Sequence, residues 1–181
     1  MNEKSLVNKK VVMIPAFRYF QDEEYFIPKL ILEQAGAEVK TASNKTGVAV
    51  GVAGGEAAVD FLVEDLHPAD FDAVIFVGGG GCTEYLDNEK SYRVARETVE
   101  AGKILAAICI SPVVLAKAGV LKGKKATVWC SVFEQSPIKV LEAGGATYQD
   151  VPVVVDRKII TADGPEVAAE FGRAILGALS K

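Results

Sequence analysis

Short apolar runs alternate with amphipathic stretches along this chain, and the alternation predicts strands interleaved with helices. Val11 to Pro15 is an apolar run bounded by lysines, and Pro28 to Ala35 follows with helical spacing at Leu30, Ile31 and Gln34 until Gly36 stops it. Glu38 to Ala42 predicts a second strand. Gly47 to Phe61 mixes small and β-branched residues among glycines, as a hairpin or an irregular excursion does. Ala73 to Val77 predicts a buried strand running into Gly78-Gly79-Gly80-Gly81, and Asn88 to Ala101 a polar-faced helix closed by Gly102. Lys103 to Ile108 predicts another buried strand, followed by a helix over Pro112 to Ala118. Past Gly119, Lys125 to Trp129 reads as a strand and Gln135 to Ala143 as a helix stopped by Gly144-Gly145. Val151 to Val155 and Lys158 to Ala162 flank Asp156-Arg157 as arms of a tight hairpin, and Pro165 to Leu179 is a terminal helix with proline at its first position.

This order predicts an α/β fold: one domain over residues 1–181, with a mostly parallel central sheet covered by helices on both faces. In an open parallel sheet, ligands sit beyond the carboxyl ends of the strands. The loops after Pro15, Val77, Ile108 and Val128 open on that edge, so Phe17 to Glu24, Gly78 to Glu84, Cys109 to Pro112 and Trp129 to Phe133 are expected to converge. All three cysteines, Cys82, Cys109 and Cys130, fall in those loops.

Composition narrows the function classes. A net charge of −4, with no stretch of aromatic residues interleaved with basic ones, argues against a nucleic-acid partner and leaves a small-molecule substrate. Met1 to Lys10 is polar and carries Lys4, Lys9 and Lys10, without the apolar core of a secretion signal. The longest apolar run, Ile104 to Ala116, is interrupted by Pro112 and is shorter than the ~20 residues that span a bilayer. No membrane association is expected, and the cytoplasm is the expected compartment. Three cysteines without CxxC spacing fit neither a disulfide framework nor a zinc site, so no metal or cofactor is expected.

The candidate chemistry centres on Leu105-Ala106-Ala107-Ile108-Cys109-Ile110-Ser111-Pro112. A cysteine in an apolar run is ordinarily a small core residue. Here a buried strand turns directly into a helix, which leaves the turn side chain exposed and aimed at the first helical amides. The positive end of the helix favours a thiolate, the nucleophilic form. Ser111 is a candidate cap for that helix and a pocket residue.

The glycines Gly79, Gly80 and Gly81 let backbone approach a reacting atom, and the amides of Gly80 and Ile110 are the expected oxyanion hole. Glu24, in an acidic run before Pro28, is placed in or just before the first turn of a helix, because proline is tolerated there and not deeper. Desolvated beside the thiol, it would hold its proton and donate it. Cys82 and Cys130 are packing residues in the pocket or partners that resolve an oxidised Cys109. Trp129 is a pocket wall. His67, the one histidine, precedes Pro68 and lies at the opposite edge of the sheet, at least ~16 Å away along the strand from Ala73 to Val77.

Taken together, several segments resemble the ThiJ/PfpI superfamily, of class I glutamine amidotransferase-like fold. They are Asp22-Glu23-Glu24 with Pro28 four residues on, Glu33-Gln34-Ala35-Gly36-Ala37, the glycine loop, Ala106-Ala107-Ile108-Cys109 and Thr161-Ala162-Asp163-Gly164-Pro165. The group includes intracellular proteases, glyoxalase and deglycase-like enzymes and the human Parkinson-linked redox protein. The resemblance implies a flavodoxin-like fold in a homodimer or higher homo-oligomer, with Cys109 as nucleophile, Glu24 as its protonated partner, and amides near Gly80 and Ile110 as oxyanion hole. Two positions depart from it. Protease-like members carry histidine directly after the nucleophile, where this chain has Ile110, and the Parkinson-linked group has a nearby histidine where Trp129 aligns. The expected function is therefore a thiol-dependent enzyme acting on a small carbonyl, amide or glycated substrate. A redox-sensing protein oxidised at Cys109, an intracellular peptidase and a ligand-binding remnant of an enzyme stand as alternatives.

Overall fold

A computed structural model describes residues 5–181; the polar start read from Met1 to Lys4 lies outside them. In chain order the first half runs β1 (Lys10–Ile14), β2 (Arg18–Phe20), α1 (Asp22–Gln34), β3 (Glu38–Ser43), β4 (Gly47–Gly51), β5 (Glu56–Val59), β6 (Phe61–Leu62), β7 (Ala73–Phe76) and α2 (Glu89–Glu100). The second half runs β8 (Ile104–Ile108), α3 (Pro112–Lys117), β9 (Lys125–Ala126), α4 (Ser136–Ala143), β10 (Thr147–Tyr148), β11 (Val153–Asp156), β12 (Ile159–Ala162) and α5 (Ala168–Leu179). Seven strands form the central sheet in the order β11-β12-β8-β7-β1-β3-β6. Every pairing is parallel except that of β11 with β12.

The strands read as unbroken apolar runs because both sheet faces are covered. Successive side chains point to opposite faces, so Val12, Ile14, Val74, Phe76, Leu105 and Ala107 pack with α2, α3 and α4. Val11, Met13, Ala73, Ile75, Ile104 and Ala106 pack with α1 and α5 on the other side. Val11 through Ile14 are all fully buried, and each such side chain stabilises the fold by roughly 1.5–3 kcal/mol. Among the described residues, no helix is long and apolar enough to cross a membrane.

Four elements differ from the sequence reading. Helix α1 starts at Asp22, which puts Pro28 inside it rather than in its first turn. Proline has no N–H for the carbonyl four residues back. The helix survives because Tyr25, Pro28 and Leu32 are buried, and Gly172 of α5 allows close approach: a Cβ there would lie 3.0 Å from Pro28 Cα and 2.9 Å from Ile31 Cδ1. The strand expected to reach Trp129 stops at Ala126 and pairs with β10 outside the central sheet. There the Thr127 amide donates instead to Thr161 Oγ1 (2.9 Å). Gly47 to Phe61, by contrast, takes the expected hairpin form, the antiparallel pair β4–β5, followed by β6. The last two glycines of the loop open a helical turn that continues as a π-helical turn over Cys82–Leu86, and Pro165–Val167 forms a 3₁₀ turn ahead of α5.

Candidate active site

Between the end of β8 and the start of α3 the chain reverses direction over three residues, and Cys109 takes the strain. Its φ is +63°, a left-handed conformation that costs a non-glycine residue about 1–3 kcal/mol unless its surroundings hold it. They do so on every side. The Cys109 amide donates to Ala162 O (2.9 Å), and its carbonyl accepts from the Trp129 amide (2.8 Å). Behind the elbow, the fully buried Ser111 hydroxyl accepts from the Ile108 amide (2.9 Å) and has the carbonyls of Phe76 (2.9 Å) and Ile108 (2.8 Å) within reach as acceptors. Ser111 therefore braces the turn from inside; it neither caps α3 nor lines the pocket, contrary to the sequence reading.

Glu24, the third residue of α1, is fully buried. Its Oε2 accepts from the Gly78 amide (2.9 Å), and its Oε1 forms no well-aligned hydrogen bond among the described residues. Gly78 lies between the carboxyl and the Cys109 side chain. A Cβ there would sit 2.5 Å from Glu24 Oε2 and 2.7 Å from Cys109 Cβ, so only glycine lets the two groups face each other. Burial pushes the Glu24 carboxyl up to about 7, with contact to the Cys109 thiol and the Gly78 amide pulling it back in part.

Burial also pushes the Cys109 thiol up, and the charge of Glu24 pushes it further, while the amides of Gly79 and Ile110 pull it down. The expectation of a sulfur held ionised near neutrality by backbone dipoles and a neighbouring acid is thus corrected: desolvation and the charge of Glu24 outweigh the two amides. Two acids pressed together out of water cannot both ionise near neutrality, so the pair carries at most one negative charge, gained as pH rises through about 7.

The amide that joins Ile110 at the sulfur is that of Gly79, not of Gly80. Gly78 and Gly79 pass directly beside Cys109, whereas Gly80 is exposed and already part of the helical turn; a Cβ on it would meet nothing within 4 Å. Gly81 is needed for a different reason, since a Cβ there would strike the Arg18 carbonyl oxygen.

Cys82 is fully buried in the core, and burial pushes its thiol up, so it is neither a pocket residue nor a resolving thiol within reach of solvent. Cys130 Sγ lies 3.6 Å from Tyr148 Oη, and both border a cavity of about 340 Å³ with Trp129, Asp150, Asp163 and Glu166. The sequence reading quotes Asp163 only as part of the family resemblance and does not name it or Glu166 as site residues, although the carboxyl-edge rule applied after Ala162 reaches both. His67 is exposed next to Lys10 and Glu38, at the amino ends of the strands and away from Cys109.

Comparison with known proteins puts this site in context. A sequence model described as the DJ-1/PfpI family matches residues 9–178. An uncharacterized protein of Methanocaldococcus jannaschii is 42% identical over 183 residues, covering 99% of this chain and 88% of that protein. The deglycase PfpI of Pyrococcus furiosus is 34% identical over 146 residues, covering 81% of this chain and 85% of its own. Among solved structures, a ThiJ/PfpI domain protein from Brachyspira murdochii superposes with a TM-score of 0.87 at 34% identity, covering 94% of this chain and 95% of that one.

Proposed function

Given that this chain belongs to the DJ-1/PfpI family, we propose that it is a cysteine-dependent enzyme in which Cys109 attacks a small carbonyl, amide or glycated substrate and Glu24 carries the proton. The observation behind this reading is the pairing of a partly exposed cysteine, held at a left-handed elbow, with a fully buried carboxyl across Gly78. Similarity to a protein named as a deglycase supports the same class of chemistry.

The chemistry follows from the pair. With Glu24 protonated, the Cys109 thiolate adds to a carbonyl carbon and the carbonyl oxygen becomes an alkoxide. The Glu24 carboxyl delivers its proton to that oxygen, leaving a neutral hemithioacetal and a carboxylate able to take a proton back in the next step. The amides of Gly79 and Ile110 flank the sulfur and donate toward charge developing beside it. His67 lies at the opposite edge, so Glu24 rather than an imidazole is the proton carrier in this reading.

The test is conversion of methylglyoxal to lactate by the full chain. Cys109→Ala is expected to abolish it, and Glu24→Gln to lower kcat/KM by ~100-fold or more. Turnover retained in Cys109→Ala overturns the reading. Selective oxidation of Cys109 by mild peroxide, with no turnover of any carbonyl or amide substrate by the parent chain, supports the redox-sensing alternative instead.

A further inference from the structure

Four described non-glycine residues have positive φ: Asn8, Tyr19, Cys109 and Arg157. Asparagine tolerates this conformation, and Arg157 occupies the tight turn between β11 and β12, where it is expected. The remaining two, Cys109 and Tyr19, meet at one residue. The Gly79 amide helps to lower the Cys109 thiol's affinity for its proton, and a Cβ on Gly79 would lie 2.5 Å from the Tyr19 carbonyl oxygen and 2.6 Å from the Gln21 amide nitrogen. The Gln21 amide also donates to Gly78 O (3.1 Å). Backbone from Arg18 to Gln21 thus clamps the glycine loop against the nucleophile.

Within that clamp Tyr19 has φ +61°, and the pairing of β2 with β4 shifts register between Arg18 and Phe20. Glycine would fit this backbone without strain, yet a tyrosine stands there. Its ring does not serve the core: Tyr19 is 55% exposed, while the next residue, Phe20, is fully buried against Tyr25. A bulky, exposed aromatic in a strained backbone that touches the glycine loop beside Cys109, and not needed for packing, points to a ligand.

We propose that Tyr19 is a specificity-determining residue whose exposed ring packs on a flat, apolar group of the molecule that Cys109 attacks. This deepens the reading of Cys109 as a nucleophile and rests on it. The test uses probes that need no turnover. N-Phenylmaleimide and N-ethylmaleimide both accept the Cys109 thiolate: a sulfur–carbon bond forms, the alkene π pair moves to the adjacent carbon, and that carbon takes a proton from water.

Rates at Cys109, followed by peptide mass spectrometry on the full chain, are compared as a phenyl-to-ethyl ratio against the same ratio for glutathione. The parent ratio is expected to exceed that of glutathione by roughly fivefold, the size of one good aromatic contact. Tyr19→Phe keeps the excess. Tyr19→Asn and Tyr19→Gly lose it, and the glycine variant unfolds at the same or a higher temperature than the parent. An unchanged ratio in the Asn and Gly variants overturns the proposal. So does an equal fall with both reagents, which would mean that Tyr19 only holds the glycine loop. A Cys109 that reacts with neither reagent overturns the nucleophile and Tyr19's role together. Absence of methylglyoxal turnover with the ratios as expected sinks the enzymatic reading alone.

Discussion

Gly78 is the residue on which the site turns, because its missing side chain is the space through which Glu24 and Cys109 meet. The consequence can be read from stability as well as from activity. The folded chain holds the Glu24 proton up to about pH 7, while the unfolded chain releases it in the ordinary carboxylate range. Over that window the native state binds the extra proton, so Glu24 favours folding at low pH and loses that advantage as pH rises through about 7. The total change is about 3 kcal/mol for a group this buried. Urea unfolding of the parent and Glu24→Gln at pH 5 and pH 8 checks this. The parent is expected to lose stability relative to the variant between the two, and a constant difference would contradict it.

At the scale of elements, the elbow was legible because a buried strand, Ile104 to Ile108, runs into Ser111-Pro112 within three residues. The start of α1 was not legible. A proline ordinarily marks the first turn of a helix, and here α1 carries it internally because packing against α5 outweighs the lost hydrogen bond. That packing depends on the bare Cα of Gly172. Gly172→Ala is expected to destabilise the fold by about 1–3 kcal/mol, since the new methyl must displace Ile31 or the Pro28 backbone. Thermal unfolding measures the loss. Because α1 also carries Glu24, a loss of Cys109 reactivity larger than the unfolded fraction explains would show that the α1–α5 contact positions the acid.

Across the whole molecule, the parallel sheet brings the loops after β1, β7 and β8 to one edge, as the carboxyl-edge rule predicts from sequence; the fourth loop expected there, after Val128, follows a strand outside the central sheet, and the loop after β12 was not anticipated. The rule located Cys109, Glu24 and the glycine loop together. It did not separate Gly79 from Gly80, or a buried Cys82 and Ser111 from pocket residues, because burial within a loop depends on what crosses over it. The balance of charges was hidden for the same reason, since desolvation belongs to the assembled site and no residue pattern reveals it.

The account depends on Cys109 and Glu24 sharing one negative charge. The rate of Cys109 alkylation by iodoacetamide against pH, in the parent and in Glu24→Gln, tests this directly. The parent rate should rise through an inflection near pH 7, where the pair loses its first proton. In Glu24→Gln that inflection should vanish, leaving a thiol that burial keeps protonated well into the alkaline range. The same inflection near pH 7 in both proteins would contradict the account.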